Sequence, residues 1–109
     1  MNYDFLHHKD KEAFNNIKNK EKVIEIRLFD EKRRKIKQGH IIKVVSQENN
    51  KDYLFIKVIK LSKFNSFNEL YDSFKDQIKD YEKDILSRVY SKEKEEKYGV
   101  LVIHFNLLD

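Results

Sequence analysis

The sequence contains no cysteine, no proline and no tryptophan, and only two glycines and one methionine. Without cysteine there is no disulfide framework, no thiolate metal site and no thiol nucleophile. Because glycine is confined to Gly39 and Gly99, most turns fall to clusters of Asn, Asp and Lys. No stretch approaches the roughly 18 apolar residues of a membrane span. The first residues, MNYDFLHHKDKEAF, lack the apolar centre of a secretory signal. These absences set the expectation of a cytoplasmic protein with no membrane segment.

The chain is 109 residues long, a length that fits a single domain over residues 1–109. Charged and hydrophobic residues each make up 39% of it, which describes a globule with a heavily charged surface. The formal net charge of +4 permits contact with nucleic acid. Lysine supplies nearly all of the basic charge. The only arginines are Arg27, Arg33, Arg34 and Arg88, and Asn and Ile are abundant, so a general composition bias explains the charge as well as an RNA footprint does.

Periodicity divides the chain without a linker or repeat. Asp10 caps a predicted helix over residues 9–18, with Ala13, Phe14 and Ile17 on one face. Residues 22–29 alternate as a strand, with Ile24, Ile26 and Leu28 on one side and Val23, Glu25, Arg27 and Phe29 on the other. A charged loop leads to Gly39. Strands over 40–46 and 53–61 then form a predicted hairpin about Asn49 and Asn50. Ser66 and Glu69 make a capping box, after which Phe67, Leu70, Tyr71, Phe74 and Ile78 recur at helical spacing. A further helix is predicted over 79–90, with Tyr81, Ile85 and Val89 four apart. Ser91 caps a short charged helix that Gly99 ends, and residues 100–107 form the last strand. The strands are too few for a doubly wound sheet. The expected fold class is α+β, a small mixed β-barrel flanked by helices.

Residues 20–27, KEKVIEIR, resemble the signature of ASCH domains: glycine, any, lysine, any, any, glutamate, any, arginine. Lys20 stands at the glycine position, and Lys22, Glu25 and Arg27 stand at the other three. The family's Gly-Asp pair at the next strand corresponds to Gly39-His40. Its closing tyrosine, charged stretch and Tyr-Gly-Val strand correspond to Tyr90, residues 92–97 and Tyr98-Gly99-Val100. The resemblance covers essentially the whole chain. It implies a PUA-like barrel with a helical insertion before the last strand, and a fold that often binds RNA. One branch with a similar short architecture is an amidohydrolase for acetylated cytidine. In that branch the motif lysine is the nucleophile, a threonine lies three residues on, and a glutamate comes from the helical region. Here the lysine is Lys22, Glu25 takes the threonine position, and Asp76, Asp80 and Glu82 are the candidate helical acids. Lys20 in place of glycine speaks against a left-handed turn there. His40 in place of aspartate removes a carboxylate from the mouth of a strand.

The candidate ligand-binding set is Lys20, Lys22, Glu25, Arg27, His40 and Tyr90. Glu25 and Arg27, two apart on a strand, share a face about 7 Å apart. Arg27 offers a bidentate donor for phosphate, carboxylate or a base edge. Glu25 offers an acceptor for an exocyclic amine, or a general base if burial raises its pKa. Lys22 binds phosphate as a point charge, or acts as a nucleophile where desolvation or a neighbouring cation such as Lys20 lowers its pKa. Set against this, a Glu and an Arg on one strand often form a structural ion pair with the next strand. Lys32, Arg33, Arg34, Lys35 and Lys37 form the densest basic cluster, which suits a nucleic-acid backbone or simply a solvated loop. His7 and His8 are adjacent, without zinc-like spacing to other ligands, and neither a metal nor a cofactor is expected. Tyr81, Tyr90 and Tyr98 are candidates for base stacking or for packing. Three readings stay open: binding of RNA or a nucleotide, hydrolysis of a modified nucleoside or of RNA by Lys22 and Glu25, and a protein-interaction domain with a vestigial cleft.

Overall fold

The computed structural model describes residues 1–108. Along the chain run β1 (Phe5–Lys9), α1 (Lys11–Lys18), β2 (Ile24–Leu28), β3 (Ile41–Ser46), β4 (Tyr53–Phe64), α2 (Phe67–Ser73), α3 (Asp80–Val89), α4 (Lys92–Tyr98) and β5 (Val100–Leu108). The five strands hydrogen-bond in the order β1-β3-β4-β5-β2. β1 runs parallel to β3, and β3 and β4 form the antiparallel hairpin expected from Asn49-Asn50. The class is therefore α+β, with a mixed sheet and three helices inserted before the last strand.

Capping residues mark the helices as the sequence predicts. The Asp10 carboxylate accepts from the Ala13 N–H at 2.8 Å, and the Ser91 hydroxyl accepts from Lys94 N–H at 3.2 Å. The Ser66 hydroxyl accepts from Glu69 N–H at 3.2 Å. The return arm of that box lands one residue early: the Glu69 carboxylate accepts from Asn65 N–H at 2.8 Å.

β1 is absent from the sequence-based reading, and it moves the start of α1. The helix begins at Lys11 because Lys9 closes the strand. Five residues with two histidines and a lysine carry no apolar alternation, and their pairing partner, β3, lies more than thirty residues away. Such a parallel pair leaves no local turn signal.

Tight contacts group the described residues into two compact units. Unit 1 takes in Met1–Glu25, Ile36–Leu61 and the chain from Ile103 onward. Phe14, Ile17, Ile42, Val44, Ile56, Val58 and Phe105 are buried in it. Unit 2 takes in Ile26–Lys35 and Ser62–Val102. Ile26, Leu28, Phe67, Leu70, Ile78, Val100 and Val102 are buried there. Within unit 2 the Phe67 ring stacks between Tyr71 and Tyr90, with centroids 6.1 and 5.9 Å away and both interplanar angles 22°. Tyr81, Ile85 and Val89, four apart along α3, are all exposed.

Lys20 corrects a second expectation. It adopts φ 61°, in the left-handed region, although it is not glycine. The turn is fixed by its surroundings: Lys20 N–H donates to Ile17 carbonyl at 3.0 Å, and Glu21 N–H donates to Asn16 carbonyl at 2.9 Å. A β-carbon in that region costs about 1–2 kcal/mol, and glycine's extra backbone entropy returns part of this, about 0.5–1 kcal/mol. Lys20→Gly should therefore raise the unfolding free energy by about 0.5–1 kcal/mol in urea titrations. A loss of stability would mean that the lysine side chain holds the turn.

Candidate functional site

The motif's first two residues sit where α1 gives way to β2. Lys20 and Lys22 line a groove of about 360 Å3 in unit 1, with Ile17, Val23, Phe105, Asn106, Leu107 and Leu108 completing its walls. Its lining contains two ammonium groups, a side-chain amide and apolar surface and, among the described residues, no carboxylate.

Glu25 does not line this groove. It is only 3% exposed, and it accepts a hydrogen bond from the Lys9 ammonium, which is itself 10% exposed. His7 Nδ1 lies 3.9 Å from the other Glu25 oxygen, with 15% of its side chain exposed. Period-two alternation turns His7 and Lys9 to the same side of β1, and their neighbours Leu6 and His8 are exposed. Thus β1 and β2, the two ends of the strand order, meet in unit 1 through a buried carboxylate and two basic side chains. Sequence reasoning identifies the carboxylate but misses its partners, because they lie on the strand it does not find. The spacing of His7 and Lys9 by two was the available signal.

The other candidates are placed as follows. The Arg27 guanidinium is half-buried, and its Nη1 donates to the Ile26 carbonyl at 2.7 Å. His40 Nδ1 accepts from Lys37 N–H at 3.0 Å, so the imidazole closes the turn before β3 with its proton on Nε2. The histidine thereby supplies an acceptor at the family's aspartate position. Its ring also lies 5.4 Å from that of Phe5. Tyr90 terminates α3 and packs on Phe67. Among the candidate helical acids, Asp76 and Asp80 are exposed and Glu82 is half-buried, and Asp80 lies 3.9 Å from Lys83.

The basic loop is partly committed. Arg33 pairs with Asp30 at 3.2 Å, and Arg34 lies 4.8 Å over the Phe29 ring while donating to the Phe29 carbonyl. A second groove, about 560 Å3 in unit 2, runs past Phe29, Lys63, Phe64, Tyr98 and Gly99. Its lysines stand over rings, Lys63 at 4.4 Å from Phe29 and Lys97 at 5.2 Å from Tyr98. Glu69 and Glu96 offset their charge. Burial, and then the Glu95 carboxylate, push the Tyr71 hydroxyl above its ordinary pKa. Burial, and then Lys60, hold His104 below the ordinary imidazole value, which favours its neutral form.

Comparison with known proteins places this arrangement. The crystal structure of hypothetical protein PH0355 superposes with a TM-score of 0.76 at 29% identity, covering 95% of this chain and 98% of that one. The solution structure of protein PF0455 from Pyrococcus furiosus gives 0.73 at 29% identity, covering 96% of this chain and 97% of that one. No curated protein matches the chain. The model of the ASCH domain matches residues 8–109. With the lysine, glutamate and arginine of the motif on β2 and at its approach, and the same fold in both solved structures, the chain belongs to the ASCH domain family.

Proposed function

We propose that this protein is a cytoplasmic module that binds RNA or a nucleotide through the groove at Lys20 and Lys22. The observation that carries the reading is the charge of that groove. Two lysines line it, with no carboxylate among the described residues to compete for them, beside an amide and an apolar wall. Phosphate seeks such point charges, and a groove of about 360 Å3 lies in the size range of small-ligand sites. No helix among the described residues is long and apolar enough to cross a membrane.

The test is a titration of a labelled single-stranded oligoribonucleotide, and of nucleoside monophosphates, at two salt concentrations. Binding should weaken as salt rises. Lys20→Ala with Lys22→Ala should lower the slope of log K against log salt by about 0.7 for each phosphate that these lysines neutralise. A flat titration at low salt against both ligand types would refute the reading.

Hydrolysis of a modified nucleoside is the second reading. Lys22 favours it, because its amine lines the groove beside Lys20 and is placed to meet a bound ligand. It expects release of the acyl group as the carboxylic acid from an N-acylated nucleoside, abolished in Lys22→Ala. Absence of product from the unmodified protein sinks it.

A further inference from the structure

The outward side of β1, β3 and β4 in unit 1 plays no part in the motif groove or the Glu25 cluster. Cross-strand register sets its members. Leu6 lies opposite Lys43, and Lys43 opposite Phe55; His8 and Tyr53 both lie opposite Val45, and Lys57 lies opposite Ile41. Tyr3, just ahead of β1, completes an aromatic row. Its ring centroid is 6.3 Å from that of Phe55, and the Tyr53 centroid is 5.7 Å from Phe55 on the other side. The Lys43 ammonium stands 4.5 Å from the Tyr53 ring and 5.6 Å from the Tyr3 ring.

Three properties of this face point to one kind of partner. First, Tyr3 and Tyr53 are 46% and 54% exposed, so ring surface is open to solvent on both sides of Phe55. Second, among the described residues this side carries Lys43, Lys57 and His8 against one acid, Asp4, whose carboxylate accepts from the Ile41 N–H at 2.9 Å. Third, the cation sits among the rings rather than apart from them, so one ligand can meet both. Open ring faces interleaved with ammonium groups, on a face of net positive charge, are what unpaired bases on a charged backbone require.

We propose that this face is a stacking platform for unpaired bases of single-stranded RNA. Tyr3 and Tyr53 stack bases, and Lys43 and Lys57 meet the intervening phosphates. The inference takes its ligand class from the RNA-binding reading, but it uses none of the groove residues.

Six tyrosines and no tryptophan make tyrosine emission a direct reporter. The experiment titrates an unstructured oligoribonucleotide and a duplex of equal length into four proteins: the unmodified protein, Tyr53→Leu, Tyr3→Leu with Tyr53→Leu, and Lys20→Ala with Lys22→Ala. Leucine keeps the strand apolar, and circular dichroism checks the fold. The single strand should quench tyrosine emission and bind more tightly than the duplex. Removing each stack should weaken single-strand binding roughly fivefold to a hundredfold, with little change for the duplex. Unchanged single-strand affinity in the double leucine variant, alongside weakening in the lysine variant, overturns the platform and leaves the groove reading intact. Equal affinity for single strand and duplex also overturns it. So does concentration-dependent self-association that the leucine variant abolishes, because the face would then be a contact between copies. An unmodified protein that binds neither RNA overturns both readings.

Discussion

Lys9→Ala should lower the unfolding free energy by about 3–5 kcal/mol, the usual result of breaking a buried ion pair from one side. The cause is the loss of a direct hydrogen bond to a buried carboxylate. With Glu25 at 3% exposure, its carboxylate cannot recover water when the ammonium goes. The partner experiment separates the worth of the pair from the cost of removing one member. Lys9→Met combined with Glu25→Leu removes both charges and keeps most of the volume. It should be near neutral, or more stable than Lys9→Ala by most of that difference. Urea denaturation of the single and double variants provides the measurement. A cost below about 1 kcal/mol for Lys9→Ala would mean that the pair behaves as an exposed one.

Gly99→Ala should cost about 3 kcal/mol. Gly99 adopts φ 73° and ψ −176°, a region that is essentially glycine-only and costs other residues about 1–3 kcal/mol. A β-carbon there would also lie 3.0 Å from the Phe64 carbonyl oxygen, which belongs to backbone and cannot swing aside. Nor can the residue itself move away. Its N–H donates to the Glu95 carbonyl at 2.8 Å, and its own carbonyl accepts from Phe29 N–H at 3.0 Å. Gly39 is the control. It has φ 92° but nothing within 4 Å of the added carbon, so Gly39→Ala should carry only the backbone term, about 1 kcal/mol. Thermal or urea unfolding of the two variants should therefore differ by about 2 kcal/mol. Equal losses would remove the steric contribution at Gly99.

Much of this fold was legible in the sequence wherever the signal was local. Asp10, Ser66 and Ser91 announce helix starts through their own hydroxyl or carboxylate chemistry. Asn49-Asn50 announces a hairpin, and the KEKVIEIR motif announces the family. What escaped had distant causes. β1 is defined by a parallel partner far along the chain and by inward basic residues that mimic a solvated tail. The partners of Glu25 escaped with it. Lys20 shows another limit. The left-handed turn survives the loss of glycine because neighbouring backbone hydrogen bonds hold it, and residue identity alone does not report that. On α3 the spacing of Tyr81, Ile85 and Val89 does define one helical face, but spacing does not say whether anything covers that face.

The charges held between β1 and β2 have a consequence for solubility. In the strand order these two are the outermost members, each five residues long. Outermost strands invite a second chain to add on, and inward-pointing charges on short edges are a standard defence against such addition. Because β1 and β2 face each other through Glu25, Lys9 and His7, a foreign strand adding at that edge would have to break the buried pair. The same residues whose removal weakens the native state thus guard it against edge-to-edge aggregation, so a charge-free variant would keep its stability yet lose that protection.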